Sequence, residues 1–304
     1  MSQINEKIRF HDIRSAGSRA LSSIAFWRAT TRSDAIRRSG YFLLALVAVI
    51  LWIFPFYWLV KIAVSWPSTT LLGATPSLVI ERFNLYNFVR VYYEIEFLRF
   101  FYNSVVITTL AVAGTLIINS LAGYGLRLDF YGKRAVMLFL IGALFVPTFV
   151  SILPLFLMTD RLGLLNTHLG VALPMMAGII GTLIFKTSFD AVPDSMIEAA
   201  RLDGASELYI IFGVLWPMSK AAIATNVILT FIAAWNSYLW PLVIMTDREM
   251  YPLPLALATF TNTFAGNYAV AYAFSILVLI PTVILFILLQ KQFVGAAIQS
   301  SLKE

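Results

Sequence analysis

The chain has 304 residues, of which 60% are hydrophobic and only 12% charged, with a formal net charge of +6 at pH 7 and no cysteine. That balance is too apolar for a soluble domain of this length, and the missing cysteines exclude disulfides and thiolate metal sites. The expected class is an all-α polytopic membrane protein.

Residues 1–40 carry eight of the 22 Lys and Arg residues. No apolar core and cleavage site stand directly behind a short basic region, so the segment reads as a retained cytoplasmic head. Ile24, Phe26 and Trp27, flanked by Arg19 and Arg28, suit a helix lying on an anionic leaflet; a disordered tail suits the same composition. Uncharged runs able to cross a bilayer follow at 41–60, 103–126, 135–159, 221–246 and 268–289. A shorter one at 169–185 ends near Lys186, whose ammonium can reach the interface. Six transmembrane helices therefore fill residues 41–290, with a tail at 291–304. With the head inside, segments 1–40, 127–134, 186–220 and 290–304 hold 16 of the 22 basic residues, which places both termini in the cytoplasm. The positive charge reflects topology against membrane lipid, and nucleic-acid binding does not follow from it.

The outer segment 61–102 is rich in aromatics (Phe83, Tyr86, Phe88, Tyr92, Tyr93, Phe97), suited to an external cap or to an interfacial belt. Span two carries Gly114, Gly123 and Gly125, which permit close packing. Its Asn103, Ser104 and Asn119 can join helices or line a path. Pro147 and Pro154 interrupt span three and Pro174 the start of span four, each removing a backbone bond that neighbours or a cavity must replace. His11 and His168 fall on opposite sides of the membrane and cannot share a metal. No Gly-rich phosphate loop ending in Gly-Lys-Ser or Gly-Lys-Thr is present, and Gly132-Lys133 lacks the upstream Gly and the following hydroxyl. Any ATP must be bound by another chain.

Residues 193–217 form a polar island between two apolar segments. Ser195 and Glu198 stand at capping-box spacing, predicting a helix from about Met196, and Pro193 discourages an earlier start. Gly204 can end that helix after about two turns in the left-handed conformation. Ala199 and Ala200 would let a partner's groove approach closely, and Glu198 and Asp203 offer carboxylates to a basic partner. A surface helix that merely joins two spans shares these helix signals; the spacing through Pro217 favours docking. On span five, Trp235, Asn236, Ser237, Tyr238 and Trp240 combine aromatic faces with polar groups, as a pyranose site requires. They equally suit bundle packing or an interfacial belt. Loop 251–267 carries Thr259, Thr261, Asn262, Thr263 and Asn267, and a re-entrant hairpin without contacts fits it too.

Glu198, Ala199, Ala200, Gly204 and Pro217 fall on the positions of the EAA loop of ABC-importer permeases, with Val214 for Ile and Trp216 for Leu. Asn103-Ser104, Ala122-Gly123-Tyr124, Gly132-Lys133-Arg134, Pro147 and Pro154-Leu155 follow the same pattern in order. So do Gly163-Leu164-Leu165-Asn166-Thr167, Leu173-Pro174, Phe231 through Asn236, and Gln290-Lys291. Over roughly residues 40–300 the chain resembles the second permease subunit of the maltose-type carbohydrate importers of bacterial or archaeal inner membranes. The resemblance implies a non-catalytic subunit without a cofactor of its own. It implies a heterodimer with a homologous permease, two ATPase subunits that bind ATP and Mg, and an external or periplasmic solute-binding protein that delivers a di- or oligosaccharide. Glu198 to Gly204 would be the lever pulled by the ATPases. Thr259, Thr261, Asn262 and Thr263 would lie on the loop that meets the binding protein. The tail would reach between the ATPases, although Ala296-Ala297-Ile298-Gln299-Ser300-Ser301 replaces a more Gly-rich segment. The alternative is a stand-alone channel or membrane enzyme. An enzyme needs ionisable groups that these spans almost lack, and a channel needs no docking loop.

Overall fold

A helix that is apolar on every face must be covered by lipid or by other helices, and α1 (Arg32–Ala63) is such a helix. The computed structural model describes residues 32–65, 78–80, 82–263 and 268–301, with only the backbone for 32–38, 261–263 and 289–301. The expectations for the head, including His11 and the stretch from Arg19 to Arg28, lie outside the described residues. Two compact units are formed, residues 1–58 and 59–304. In the first, α1 runs through Pro55, and Phe42, Leu51 and Trp52 are exposed.

The second unit contains α2 (Tyr86–Glu94), α3 (Phe97–Arg127), α4 (Lys133–Ala143), α5 (Thr148–Arg161), α6 (His168–Ala172) and α7 (Ile179–Asp190). After them come α8 (Asp194–Leu202), α9 (Glu207–Tyr209), a π-helical turn (Ile210–Leu215) and α10 (Trp216–Met218). The chain closes with α11 (Lys220–Trp235), α12 (Leu239–Ile244), α13 (Leu253–Thr263) and α14 (Tyr268–Ser301). Ser39–Ala63, Phe97–Arg127 and Tyr268–Leu288 are each long and apolar enough to cross a membrane. Three further pairs qualify when each bent pair counts as one span: α4 with α5, α6 and its 3-10 extension with α7, and α9–α10 with α11. The bends are 104°, 50° and 91°. The all-helical, six-span expectation therefore holds, with corrected boundaries. Span two begins at Phe97 and not at 103. Residues 221–246 are not one helix, because α11 stops at Trp235 and α12 is separate. Pro147 caps α5 at the sharp bend, whereas Pro154 sits inside α5 without breaking it. Loop 251–267 is helical over 253–263, since Leu253 to Phe260 supply apolar side chains that enter the core.

The outer aromatics divide between the two readings. Phe88 and Phe97 pack on a core of Phe100, Trp235 and Phe274, whereas Phe83, Tyr86, Tyr92 and Tyr93 are exposed.

Helix α3 satisfies the backbone of its interrupted neighbours. At the α6–α7 break, Thr115 Oγ1 donates to the Met175 carbonyl at 2.9 Å, and Asn119 Oδ1 accepts from the Gly178 amide at 2.9 Å. Thr115 and Asn119 stand one turn apart and so share a face. Asn119 Oδ1 also accepts from Thr182 Oγ1 at 3.3 Å, and its amide donates to Asn226 Oδ1 at 3.5 Å. Asn226 donates in turn to the carbonyls of Ala222 and Gly181. Near the N-terminal end of α3, Asn103 Nδ2 donates to the carbonyls of Glu249 and Tyr251, and its Oδ1 meets His168 Nε2 at 2.9 Å. Ser104 Oγ accepts from the Leu253 amide at 2.8 Å.

Gly181 sits inside the Asn119–Asn226 junction, where an added Cβ would overlap Asn119 Nδ2 and Asn226 Oδ1. Both amides are buried and bonded, so neither can move aside without breaking its own bonds. Gly181→Ala is expected to destabilise the protein by about 1–3 kcal/mol. Gly125→Ala, where nothing lies within 4 Å, is expected to be near neutral. Thermal unfolding of the two variants in detergent checks this; equal midpoints would show that the junction tolerates the methyl.

Candidate functional site

The 193–217 loop is built around α8. Pro193 is extended, with ψ 136°, and α8 starts directly after it at Asp194. This corrects the capping-box expectation: the helix begins two residues before Met196, and no side chain caps it. Asp194 in the first turn and Arg201 in the last complement the helix dipole. At the other end Gly204 has φ 82°. The Ala205 amide bonds the Ala200 carbonyl and the Gly204 amide bonds the Arg201 carbonyl, each at 3.0 Å, the Schellman pattern that glycine permits.

One face of α8 is anchored. Ile197 is buried and Ala200 half-buried against Phe185, Phe189 and Ile210. The opposite face presents Met196, Glu198, Ala199, Leu202 and Asp203. The two alanines thus part company: Ala199 is free to meet another surface, whereas Ala200 packs inward. Leu202 is 89% exposed, an apolar knob between carboxylates. Sequence reading passed over it, although three-residue steps from Ile197 to Ala200 set the anchored face and leave 198, 199 and 202 outside. Neither Glu198 nor Asp203 has a side-chain hydrogen bond or ion pair among the described residues.

Two polar contacts tie this loop to the end of α3. Arg127 Nη2 donates to Asp194 Oδ1 at 2.7 Å and to the Val192 carbonyl at 2.9 Å. Across the Gly204 turn, Arg201 Nε and Nη2 donate to the two carboxylate oxygens of Glu207 at 3.0 and 3.2 Å. Arg201 Nη2 also donates to the Tyr124 hydroxyl at 2.9 Å, and that hydroxyl donates to Glu207 Oε2. The Glu207 hydrogen bond, with the Tyr124 phenol beside it, holds the Arg201 guanidinium above its ordinary pKa.

The candidates on span five separate by exposure. Trp235 is 2% exposed, stacked on Phe231 at 5.4 Å and edge-on to Phe101 at 6.0 Å. Its indole N–H donates to the Val278 carbonyl at 2.9 Å, next to Leu277, whose carbonyl loses its ladder donor at Pro281. Trp240 is also buried and donates to the Gly170 carbonyl. Both side chains serve packing. Asn236 and Tyr238 are exposed at the gap between α11 and α12, with Asn236 Nδ2 bonded back to the Ile232 carbonyl. Thr259 Oγ1 bonds the Leu255 carbonyl of its own helix. The side chains of Thr261, Asn262 and Thr263 lie outside the described residues. His168, bonded to Asn103, belongs to no cluster able to hold a metal among the described residues. Lys186 pairs with Asp190 one turn on.

The model of the "Binding-protein-dependent transport system inner membrane component" family matches residues 114–296. The chain belongs to that family. It is similar to the arabinooligosaccharides transport system permease protein of Bacillus subtilis (strain 168), at 30% identity, covering 86% of this chain and 94% of that one. The lactose transport system permease protein of Rhizobium radiobacter is also 30% identical, covering 84% of this chain and 92% of that one. Among solved structures, a bacterial ABC transporter involved in the import of the acidic polysaccharide alginate contains a chain of the same fold. Its TM-score is 0.75 at 24% identity, over 86% of this chain and 98% of that one. The protein is therefore a membrane-embedded permease component, and the matched span holds the α8 loop and both broken ends of α11.

Replacing Trp235 by Phe keeps the ring stack but removes the buried indole hydrogen bond to the Val278 carbonyl. A stability loss of about 1–2 kcal/mol is expected, with the substrate KM of transport unchanged. Thermal unfolding and uptake kinetics on one preparation check it. A raised KM at unchanged stability would instead place Trp235 against substrate.

Proposed function

We propose that the protein is the translocating permease of a carbohydrate importer, and that α8 is the coupling helix on which a separate ATPase subunit docks. The observation that carries this reading is the outward face of α8, where Glu198, Ala199, Leu202 and Asp203 are exposed and, among the described residues, no ion pair or side-chain hydrogen bond engages the two carboxylates. An exposed Leu between two carboxylates, on a helix clamped at both ends, fits a groove with an apolar floor and basic rim. The chain has no phosphate-binding loop of its own, so ATP and Mg belong to that partner. A homologous permease and a solute-binding protein complete the assembly. One solved neighbour of the same fold, a bacterial alginate ABC transporter, is in complex with a periplasmic protein that holds an alginate pentasaccharide.

The substrate path runs past Asn236, Ser237 and Tyr238. Counting from Lys220, the gap after Trp235 lies about 22 Å along α11, inside a hydrocarbon core of about 30 Å. Irregular, polar backbone at that depth is tolerated where it lines a watered cavity or is covered by protein. Residues 221–247 contain no Lys or Arg, the groups that bind phosphate or carboxylate tightly. This face therefore suits an uncharged sugar. The sugars for which several relatives are named, arabinooligosaccharides, lactose and trehalose or maltose, support that class.

Both termini are assigned to the cytoplasm from the basic-residue distribution. In a chain free of cysteine, Ser206→Cys is expected to resist an impermeant thiol reagent in intact cells, whereas Tyr93→Cys reacts. Labelling of Ser206→Cys from outside would overturn this orientation.

The coupling role is tested in the reconstituted complex with Glu198→Lys, Leu202→Asp and Gly204→Val. The first two place a like charge or a buried carboxylate in the docking groove, and the third strains a backbone that only glycine adopts freely. Uptake and binding-protein-stimulated ATP hydrolysis are expected to fall about tenfold or more, while the binding protein's sugar affinity is unchanged. Normal uptake and stimulation in all three would reject the docking role.

A further inference from the structure

We infer that Tyr124, Arg201 and Glu207 form a latch that sets the angle of the coupling helix to the second span, so that movement of α8 is transmitted to α3. The inference rests on the coupling reading above and adds three positioning residues to it. Arg201 is in the last turn of α8, Glu207 opens α9 beyond the Gly204 turn, and Tyr124 is in the last turns of α3. Three elements thus meet in one hydrogen-bonded group. The guanidinium engages both carboxylate oxygens, and the phenol hydroxyl both receives from Arg201 and donates to Glu207. A planar fork with a third partner specifies direction as well as distance.

One attachment would leave α8 free to pivot. A second exists at its other end, where Arg127 holds Asp194 and the Val192 carbonyl. Tyr124 and Arg127 are three residues apart and so share a face of α3. Between the two tethers Ile197 and Ala200 rest on Phe185 and Phe189. The two ends of α8 are therefore referred to one short stretch of α3.

Exposure tells what the latch is for. The Arg201 and Glu207 side chains are 43% and 55% exposed, a setting in which ion pairs add little to fold stability. The Tyr124 residue, by contrast, is buried, so its hydroxyl supplies a fixed point on which the exposed pair registers. A group of this kind orients a surface helix without being needed to fold it.

The test uses the complete reconstituted complex with Arg201→Glu, Glu207→Arg, the double charge exchange, and Tyr124→Phe. Glu198→Lys serves as the docking control. Sugar uptake per ATP hydrolysed, the amount of assembled complex and ATPase-subunit affinity are measured together. Each single charge reversal is expected to lower uptake per ATP at least about threefold at unchanged assembly and affinity. The double exchange is expected to recover at least half of the loss. Tyr124→Phe retains the ring packing and is expected to fall between, and it decides the matter if a reversal prevents assembly. Uptake per ATP unchanged in all variants, a loss confined to the amount of complex, or a double exchange no better than the singles would overturn the latch. If Glu198→Lys impairs transport while the latch variants do not, the latch alone fails; if Glu198→Lys also has no effect, the coupling reading fails with it.

Discussion

An amide or carbonyl without a partner inside a bilayer costs several kcal/mol, and half of the spans in this chain are bent pairs that expose such groups. At the α6–α7 break the structure meets that constraint through one unbroken helix. Thr115 and Asn119 of α3 serve the carbonyl and the amide on either side of the α6–α7 break. Asn103 and Ser104 do the same for the turn that leads into α13. The polar residues of span two thus support the irregular backbone at 175–178 and at 249–253, and irregular segments are where a transport path can be built.

The same helix connects the two sides. Its 31 residues extend about 46 Å, beyond a hydrocarbon core of about 30 Å, so both ends project into polar surroundings. At one end Arg99 pairs with Glu249 at 2.9 Å, beside the Asn103 bonds to the same turn. At the other, Tyr124 and Arg127 hold the α8 loop. The 249–251 turn and the α8 loop are thus attached to one helix. Asn166 strengthens the same end of the bundle: with a left-handed φ of 58° it accepts from the Thr246 and Asp247 amides. That pairing gives a physical reason for the Gly163–Thr167 motif read in the sequence.

The spans and the short helix α8 were legible because each rests on local chemistry. Uncharged length sets a span, Pro193 bars an earlier helix start, and Gly204 permits the left-handed end. Ser195 misled because proline geometry, not a side-chain cap, opens α8. Span five was drawn too long because residues 221–246 carry no charged side chain to mark the stop of α11 at Trp235. Trp235 and Trp240 offered sugar-like chemistry in sequence, yet their indole N–H groups are already committed to carbonyls 43 and 70 residues away. Such pairings, like those of Tyr124 with Glu207 and Asn119 with Asn226, join distant helices and leave no periodic trace in the chain.

The break at 176–178 and the gap at 235–238 invite opposite uses because their backbones are satisfied differently. At 176–178, Thr115 and Asn119 close the gap from within the protein, and Gly181 lets the helices approach until the amides interlock. That break is a structural joint. At 235–238, among the described residues, no side chain from another element bonds the backbone, and Asn236 and Tyr238 face outward. Polar backbone at that depth needs water, a ligand or a partner helix to complete it. In the proposed pathway, water and then sugar would complete that backbone in turn, which is the physical basis for assigning the pathway to this break and not to the other.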